Sequence, residues 1–292
     1  MIWEIDGRHW PNRDLSRFVR VKGHTWHIQE AGDGPLVLLL HGAGASTHSW
    51  RDVIPRLAQD HAVMALDLPG QGFTRVNDKR RCGLNAMAED IRALLRHQGR
   101  EPDIVVGHSA GAALALRLAL DLERKPAALI SINGALKNFP GPAGIVFPAM
   151  ARLLSMNPLS GFGFSFLAGS TGTVRRLIRS TGSTIDRRGL AGYRLLFSDP
   201  DHVDGTLAMM ANWHLDRLLE DLRRLDVAAH FLVGGRDRAV PPSTSAAAAR
   251  RIGGAQLVEV SDAGHLLHEE QPDWIVDRIR DASADAIART AV

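Results

Sequence analysis

The apolar positions of this chain fall into two rhythms. Short, branched-residue runs occur at Leu36 to Leu40, Ala62 to Asp67, Ile104 to Val106, Ala128 to Asn133, His230 to Val233 and Gln256 to Val260. Runs that stay apolar on both faces read as strands of a mostly parallel sheet covered on both sides. Phe18 to Lys22 and Thr25 to Glu30, joined by Gly23-His24, predict an opening hairpin. Between the runs lie helical patterns at Asn85 to Gln98, Ala110 to Asp121 and Ser243 to Ile252, with Asn85 placed to cap the first and Gly99 to stop it. Strand and helix alternating in this way predict an α/β fold of βαβ units, a mostly parallel twisted sheet with helices on both faces.

The stretch 136–225 breaks that rhythm. It lacks strand-like runs and is too long for a structureless connection in a compact domain. We therefore divide the chain into a core of residues 1–135 and 226–292 and a helical cap of residues 136–225, inserted after the sixth predicted strand. The cap stretch holds six of the nine phenylalanines and four of the seven methionines. Phe139, Phe147, Met150, Phe162, Phe166, Met209 and Trp213 are the candidates for an apolar pocket under it.

Composition narrows the partners. Lys plus Arg number 35 and Asp plus Glu 32, a net charge of +3 that gives no reason to expect nucleic acid. Cys82 is the single cysteine, so no intramolecular disulfide and no multi-cysteine metal site can form. It sits among Lys79, Arg80, Arg81 and Gly83 without an obvious base and is read as a bystander. No signal-like segment opens the chain and no run reaches the roughly 20 residues of a membrane helix, so a cytosolic protein is expected. Six basic residues between Arg175 and Arg194, with one acid among them, follow Phe162, Phe164 and Phe166. That pairing leaves room for weak peripheral contact between the cap and an anionic membrane.

The strongest local signal is Ile104-Val105-Val106-Gly107-His108-Ser109-Ala110-Gly111, an apolar strand followed by G-x-S-x-G and a run of small residues that opens a helix. This is the pattern of a nucleophile elbow. A turn this tight leaves no room for side chains at Gly107 and Gly111, and it aims the helix N-terminus at Ser109. A serine hydroxyl needs a base, and the base needs a group to orient it. His265, in Asp262-Ala263-Gly264-His265, and Asp237, in Gly234-Gly235-Arg236-Asp237, each follow a predicted strand. Strand C-termini are where ligands gather in open α/β sheets. The acid could instead stand at the end of the preceding strand, but that place holds Asn133, so Asp237 keeps the role.

Leu38-Leu39-Leu40-His41-Gly42-Ala43-Gly44 runs from a strand into a glycine-rich loop whose backbone can face the same site. The amides of Ala43 and Ala110 are the expected oxyanion donors. A dinucleotide fingerprint fails here, since Thr47 stands where a third glycine is needed. His41 is read as a structural residue beneath the loop, and His48, His108, His214 and His268 as surface or packing histidines. His265 and His268 lack the spaced carboxylates of a metalloprotease helix, so neither metal nor cofactor is expected.

With these motifs in place the chain resembles the α/β-hydrolase superfamily along nearly its whole length, where the order Ser109, Asp237, His265 is the family order. Gln71, in Asp67-Leu68-Pro69-Gly70-Gln71-Gly72, departs from the histidine many members carry. Ser109 argues against dehalogenase and epoxide hydrolase chemistry, which uses an aspartate there. Carbon–carbon bond hydrolases also use serine and stay open. Trp3-Glu4, Trp10-Pro11-Asn12-Arg13, Gly44 to Asp52, Met209 to Trp213 and Gly234 to Pro242 are similar to one subgroup, the magnesium-chelatase accessory proteins (BchO type) encoded with bacteriochlorophyll synthesis genes. The resemblance implies an esterase-like serine hydrolase near magnesium insertion into protoporphyrin. It implies a small apolar or tetrapyrrole ester as substrate and an association with magnesium chelatase. The other reading is a non-hydrolytic accessory protein that holds a tetrapyrrole or assists the chelatase on a hydrolase scaffold.

Overall fold

The central strands are so uniformly apolar that they can only lie inside. In the computed structural model, which describes residues 1–137 and 171–290, every residue of β3 (Leu36–Leu40), β6 (Ile104–His108) and β7 (Ala128–Ile132) is buried. They join β1 (Ser16–Val21), β2 (His24–Ala31), β4 (Ala62–Leu66), β5 (Arg75–Val76), β8 (Ala228–Gly234) and β9 (Gln256–Val260). The strand order is β1-β2-β4-β3-β6-β7-β8-β9, with the short β5 paired to β2. The β1–β2 hairpin and the β2–β4 pair are antiparallel, and all pairs from β4 to β9 are parallel.

The period of two along each strand splits the core between the two faces. Leu36, Leu38 and Leu40 pack with Met64, Leu66 and the helices Leu84–His97 and Ala110–Asp121. Val37 and Leu39 pack on the other face with Trp50, Ile54, Leu57, Ile275 and Ile279. Burying a leucine fully is worth about 1.5–3 kcal/mol, so these strands hold both layers of helices to one sheet.

Two local expectations change. The helix expected to open at Asn85 is capped by Gly83 instead and takes Asn85 into its first turn, while Gly99, at φ +59, ends it as foreseen. The unforeseen two-residue β5 makes the strand before the long insertion the seventh in chain order, not the sixth. It is too short to leave an alternating pattern in the sequence.

After residue 170 come helices Thr171–Ser180, Arg187–Phe197, Pro200–Ala211 and Asp216–Asp221 before β8 begins. Asp186 and Asp199 cap the second and third by accepting from the Gly189 and His202 amides. Leu215, Leu218, Leu222 and Leu225 join the same apolar cluster as the sheet. No helix among the described residues is long and apolar enough to cross a membrane.

One buried carboxylate ties hairpin to loops. Asp67 accepts from the Thr47 amide at 2.7 Å, the Phe73 amide at 2.8 Å and His27 Nδ1 at 2.8 Å. Burial alone favours its neutral form, yet His27 and the hydrogen bonds outweigh that and bring its pKa from 3.8 down to about 2. A depressed folded pKa contributes stability above the unfolded value and loses it as pH falls through the folded one. Urea midpoints should therefore fall as pH drops from 3.8 towards about 2. Asp67→Asn should flatten part of that limb and lower the midpoint at neutral pH. An unaltered acid limb in the variant would refute the assignment.

Candidate functional site

β6 ends at His108, and Ser109 follows at φ 53, ψ −115, a conformation that ordinary side chains avoid. Such strain costs about 1–3 kcal/mol and persists only where the surroundings enforce it. The two glycines of the motif explain how it is enforced. A Cβ on Gly107 would lie 2.1 Å from the Gly111 carbonyl oxygen, and one on Gly111 would lie 2.3 Å from that of Leu40. Helix Ala110–Asp121 can therefore start directly against β6 and β3, with its N-terminal amides beside Ser109.

β8 and β9 bring the other two candidates to the same edge of the sheet. His265 Nδ1 lies 2.7 Å from Asp237 Oδ2, with the Asp237 carboxylate fully buried. The other oxygen, Oδ1, accepts from the Ala239 and Val240 amides, each at 2.8 Å, so the carboxylate is held at both ends. No hydrogen bond joins Ser109 Oγ to His265 Nε2 among the described residues. Contacts of this kind are commonly long until substrate is bound.

His265 is held in position through its own backbone. Its carbonyl accepts from Asn133 Nδ2 at 2.7 Å and pairs with His108 Nε2 at 2.8 Å. Asn133 also donates to the Gly264 carbonyl at 2.9 Å and accepts from the Gly234 amide at 2.8 Å. Sitting just past β7 at φ 46, a left-handed conformation asparagine tolerates, it knots three strand ends together. The Ser109 amide donates to Ile132 in the same corner. Burial, with the nearby His265, holds the His108 pKa well below 6.5 and keeps that ring neutral.

The glycine-rich loop after β3 is fastened by residues to which the sequence analysis assigns no such role. The Gly44 amide donates to Gln71 Oε1 at 2.7 Å, and Gln71 Nε2 reaches Met209 Sδ at 3.0 Å. His202 pairs with the Gly44 carbonyl at 3.2 Å and accepts from the Gly72 amide at 3.0 Å. Gly205 lies so close that a Cβ there would sit 1.8 Å from the Gly70 oxygen. His41 accepts from the Leu68 amide at 2.9 Å and faces the Gly42 carbonyl at 2.8 Å, the supporting role expected of it. Ala43 is exposed, and neither its amide nor that of Ala110 donates to another group among the described residues.

The remaining sequence candidates divide. Met209 is buried against Gln71, and Trp213 packs half-buried on the main core. Phe139, Phe147, Met150, Phe162 and Phe166 lie outside the described residues. Cys82 is buried, which pushes its thiol up to about 12, a value that removes it as a nucleophile at neutral pH. His48, His108 and His268 are interior rather than surface residues, and His214 is exposed. Among the described residues no His, Cys, Asp and Glu group is arranged to hold a metal ion.

A buried charge network also escaped the sequence. Arg51 pairs with Glu269, which accepts from Tyr193 Oη at 2.7 Å, and with Asp186 at 2.9 Å. It links the loop after β3, helix Arg187–Phe197 and the short helix Leu267–Glu270 that follows His265. No local pattern announces it, because Arg51 and Glu269 are 218 residues apart.

The chain matches the alpha/beta hydrolase family over residues 37–278. Over 275 residues it is 42% identical to the magnesium-chelatase 30 kDa subunit of Rhodobacter capsulatus, covering 94% of this chain and 96% of that protein. It is 29% identical to the soluble epoxide hydrolase of Corynebacterium sp. (strain C12), over 88% and 93% of the two chains. Among solved structures, an alpha/beta hydrolase fold protein from Burkholderia ambifaria aligns at a TM-score of 0.76 and 26% identity, covering 92% of this chain and 98% of that one.

Proposed function

Because the chain belongs to the alpha/beta hydrolase family, we propose that it is a serine hydrolase of carboxylic esters or related acyl compounds, working beside magnesium-tetrapyrrole synthesis. The observation that carries this reading is the anchored His265–Asp237 pair at the sheet edge where the strained Ser109 emerges. Ser109 Oγ attacks the acyl carbon as its proton passes to His265 Nε2. Asp237 holds Nδ1–H and stabilises the imidazolium that results. The amides of Ala43 and Ala110 take the oxyanion, each worth on the order of 3 kcal/mol in the transition state. His265 then protonates the leaving alkoxide. Water, deprotonated by the same imidazole, attacks the acyl-serine and releases the acid with Ser109 restored.

Ser109 also argues against epoxide hydrolase chemistry, for which the family resemblance implies an aspartate at that position. The relation to a magnesium-chelatase subunit supports association with the chelatase and fits a cytoplasmic location; a tetrapyrrole ester as substrate and weak peripheral contact with the membrane are parts of the proposal that rest on the sequence reading alone. The same relation favours a second reading, an accessory protein that binds tetrapyrrole or chelatase without hydrolysis.

One experiment decides between them. A fluorophosphonate probe should label Ser109 in the purified protein. In a pigment-forming host lacking the gene, wild type should restore bacteriochlorophyll and Ser109→Ala should not. Full restoration by the alanine variant would leave only the accessory reading.

A further inference from the structure

A concave groove of about 230 Å³ opens beyond the site, between helices Thr171–Ser180 and Arg187–Phe197. Arg175 and Arg179 of the first helix and Arg187 of the second line it, above Ile178, Ile185 and Leu190. Arg175 and Arg179 are four residues apart, a spacing at which like charges on a helix repel. All three arginines are exposed, and none has an ion-pair partner among the described residues. Among the described residues the acid that lines the groove, Asp186, is already engaged. Its Oδ1 accepts from the Gly189 amide at 2.8 Å and Arg51 Nη2 at 2.9 Å, and its Oδ2 from Arg188 Nε at 3.1 Å. Among the described residues the groove therefore presents three arginines without an ion-pair partner over an apolar floor.

That floor backs onto the candidate site. Ile178, Ile185 and Leu190 belong to one apolar cluster with Leu266, which follows His265, and Ala45, two residues past Ala43. Ser183, in the groove wall, accepts from the Leu266 amide at 2.8 Å.

We propose that this groove is an anion subsite that holds a free carboxylate of an amphiphilic substrate, in the setting inferred above a tetrapyrrole ester that keeps at least one free carboxylate. The tetrapyrrole identity rests on the proposed function, whereas the carboxylate preference rests on the groove alone. Guanidinium groups grip carboxylates through paired N–H donors, and an apolar floor strengthens that grip by excluding water. The volume is far too small to enclose a macrocycle, so the groove takes a carboxylate-bearing edge. A flat bilayer fits the concavity less well than a discrete ligand, because the third arginine comes from a second helix across the groove.

The test uses the full chain, protoporphyrin IX and its dimethyl ester, with binding followed by porphyrin fluorescence. The free acid should bind roughly tenfold or more tightly than the ester, and Arg175→Gln/Arg179→Gln/Arg187→Gln should remove that preference. The triple variant should keep the wild-type melting temperature and its affinity for the ester. Equal affinity of wild type for acid and ester, or an unchanged preference in the triple variant, overturns the subsite. So does arginine-dependent flotation with phosphatidylglycerol vesicles without porphyrin discrimination, which would assign the arginines to a membrane. Ser109→Ala should bind like wild type, and this separates the two claims. Carboxylate-selective binding without ester turnover refutes hydrolysis and leaves the subsite standing, whereas turnover without that selectivity does the reverse.

Discussion

Replacing Ser109 by alanine is expected to lower ester turnover by up to about a millionfold, the loss seen when such a triad loses its nucleophile. The fold should be unaffected. Alanine keeps the Cβ, so the cost of φ 53 is the same in both proteins and the close approach of Gly107 and Gly111 is undisturbed. Melting temperature therefore separates a chemical effect from a structural one. Ser109→Gly makes a useful companion, since glycine adopts positive φ freely and should relieve strain while being equally inactive. Hydrolysis of a p-nitrophenyl ester and labelling by a fluorophosphonate measure the outcome. Alanine-variant turnover near that of wild type would remove Ser109 from the mechanism.

Asp237→Asn is the second large effect, with an expected fall in kcat of about ten-thousandfold and little change in KM. Oδ1 is fixed by the amides of Ala239 and Val240. An asparagine would keep its oxygen there and turn its NH2 towards His265 Nδ1. That reverses the tautomer and puts the proton on Nε2, where it cannot accept one from Ser109. A second substitution tests why the acid stands where it does. Asn133→Asp, added to Asp237→Asn, places a carboxylate at the end of the preceding strand. It should fail to restore activity, because Asn133 Nδ2 donates to the carbonyls of Gly264 and His265, and a carboxylate would repel both and displace the loop that carries the base. Recovery of most of the lost rate in the double variant would contradict this geometry.

Much of this arrangement is legible along the chain. Leu36 to Leu40 and Ile104 to Val106 announce buried parallel strands because they are apolar at every position. Gly107-His108-Ser109-Ala110-Gly111 announces the elbow because its demands are steric and confined to five neighbouring residues. Less legible are the residues that hold the site in place. Gln71 marked a departure from the family pattern, but its hold on the Gly44 amide depends on two loops meeting. In the sequence Asn133 stands out only as the wrong residue for an acid, although its amide holds the carbonyl of His265.

The sequence by itself determined the fold class and the sheet edge at which the candidate serine, histidine and aspartate emerge. These follow from periodicity, steric necessity and chain order, all of which act locally or through topology. The tertiary structure alone decided how those residues are held. The partners are long-range: Gln71 with Met209 across 138 residues, His108 with His265 across 157, and Arg51 with Glu269 across 218. A hydrogen bond or ion pair between segments depends on their positions in space, which no local pattern records. For the same reason the arginine groove takes its shape only when two helices come together.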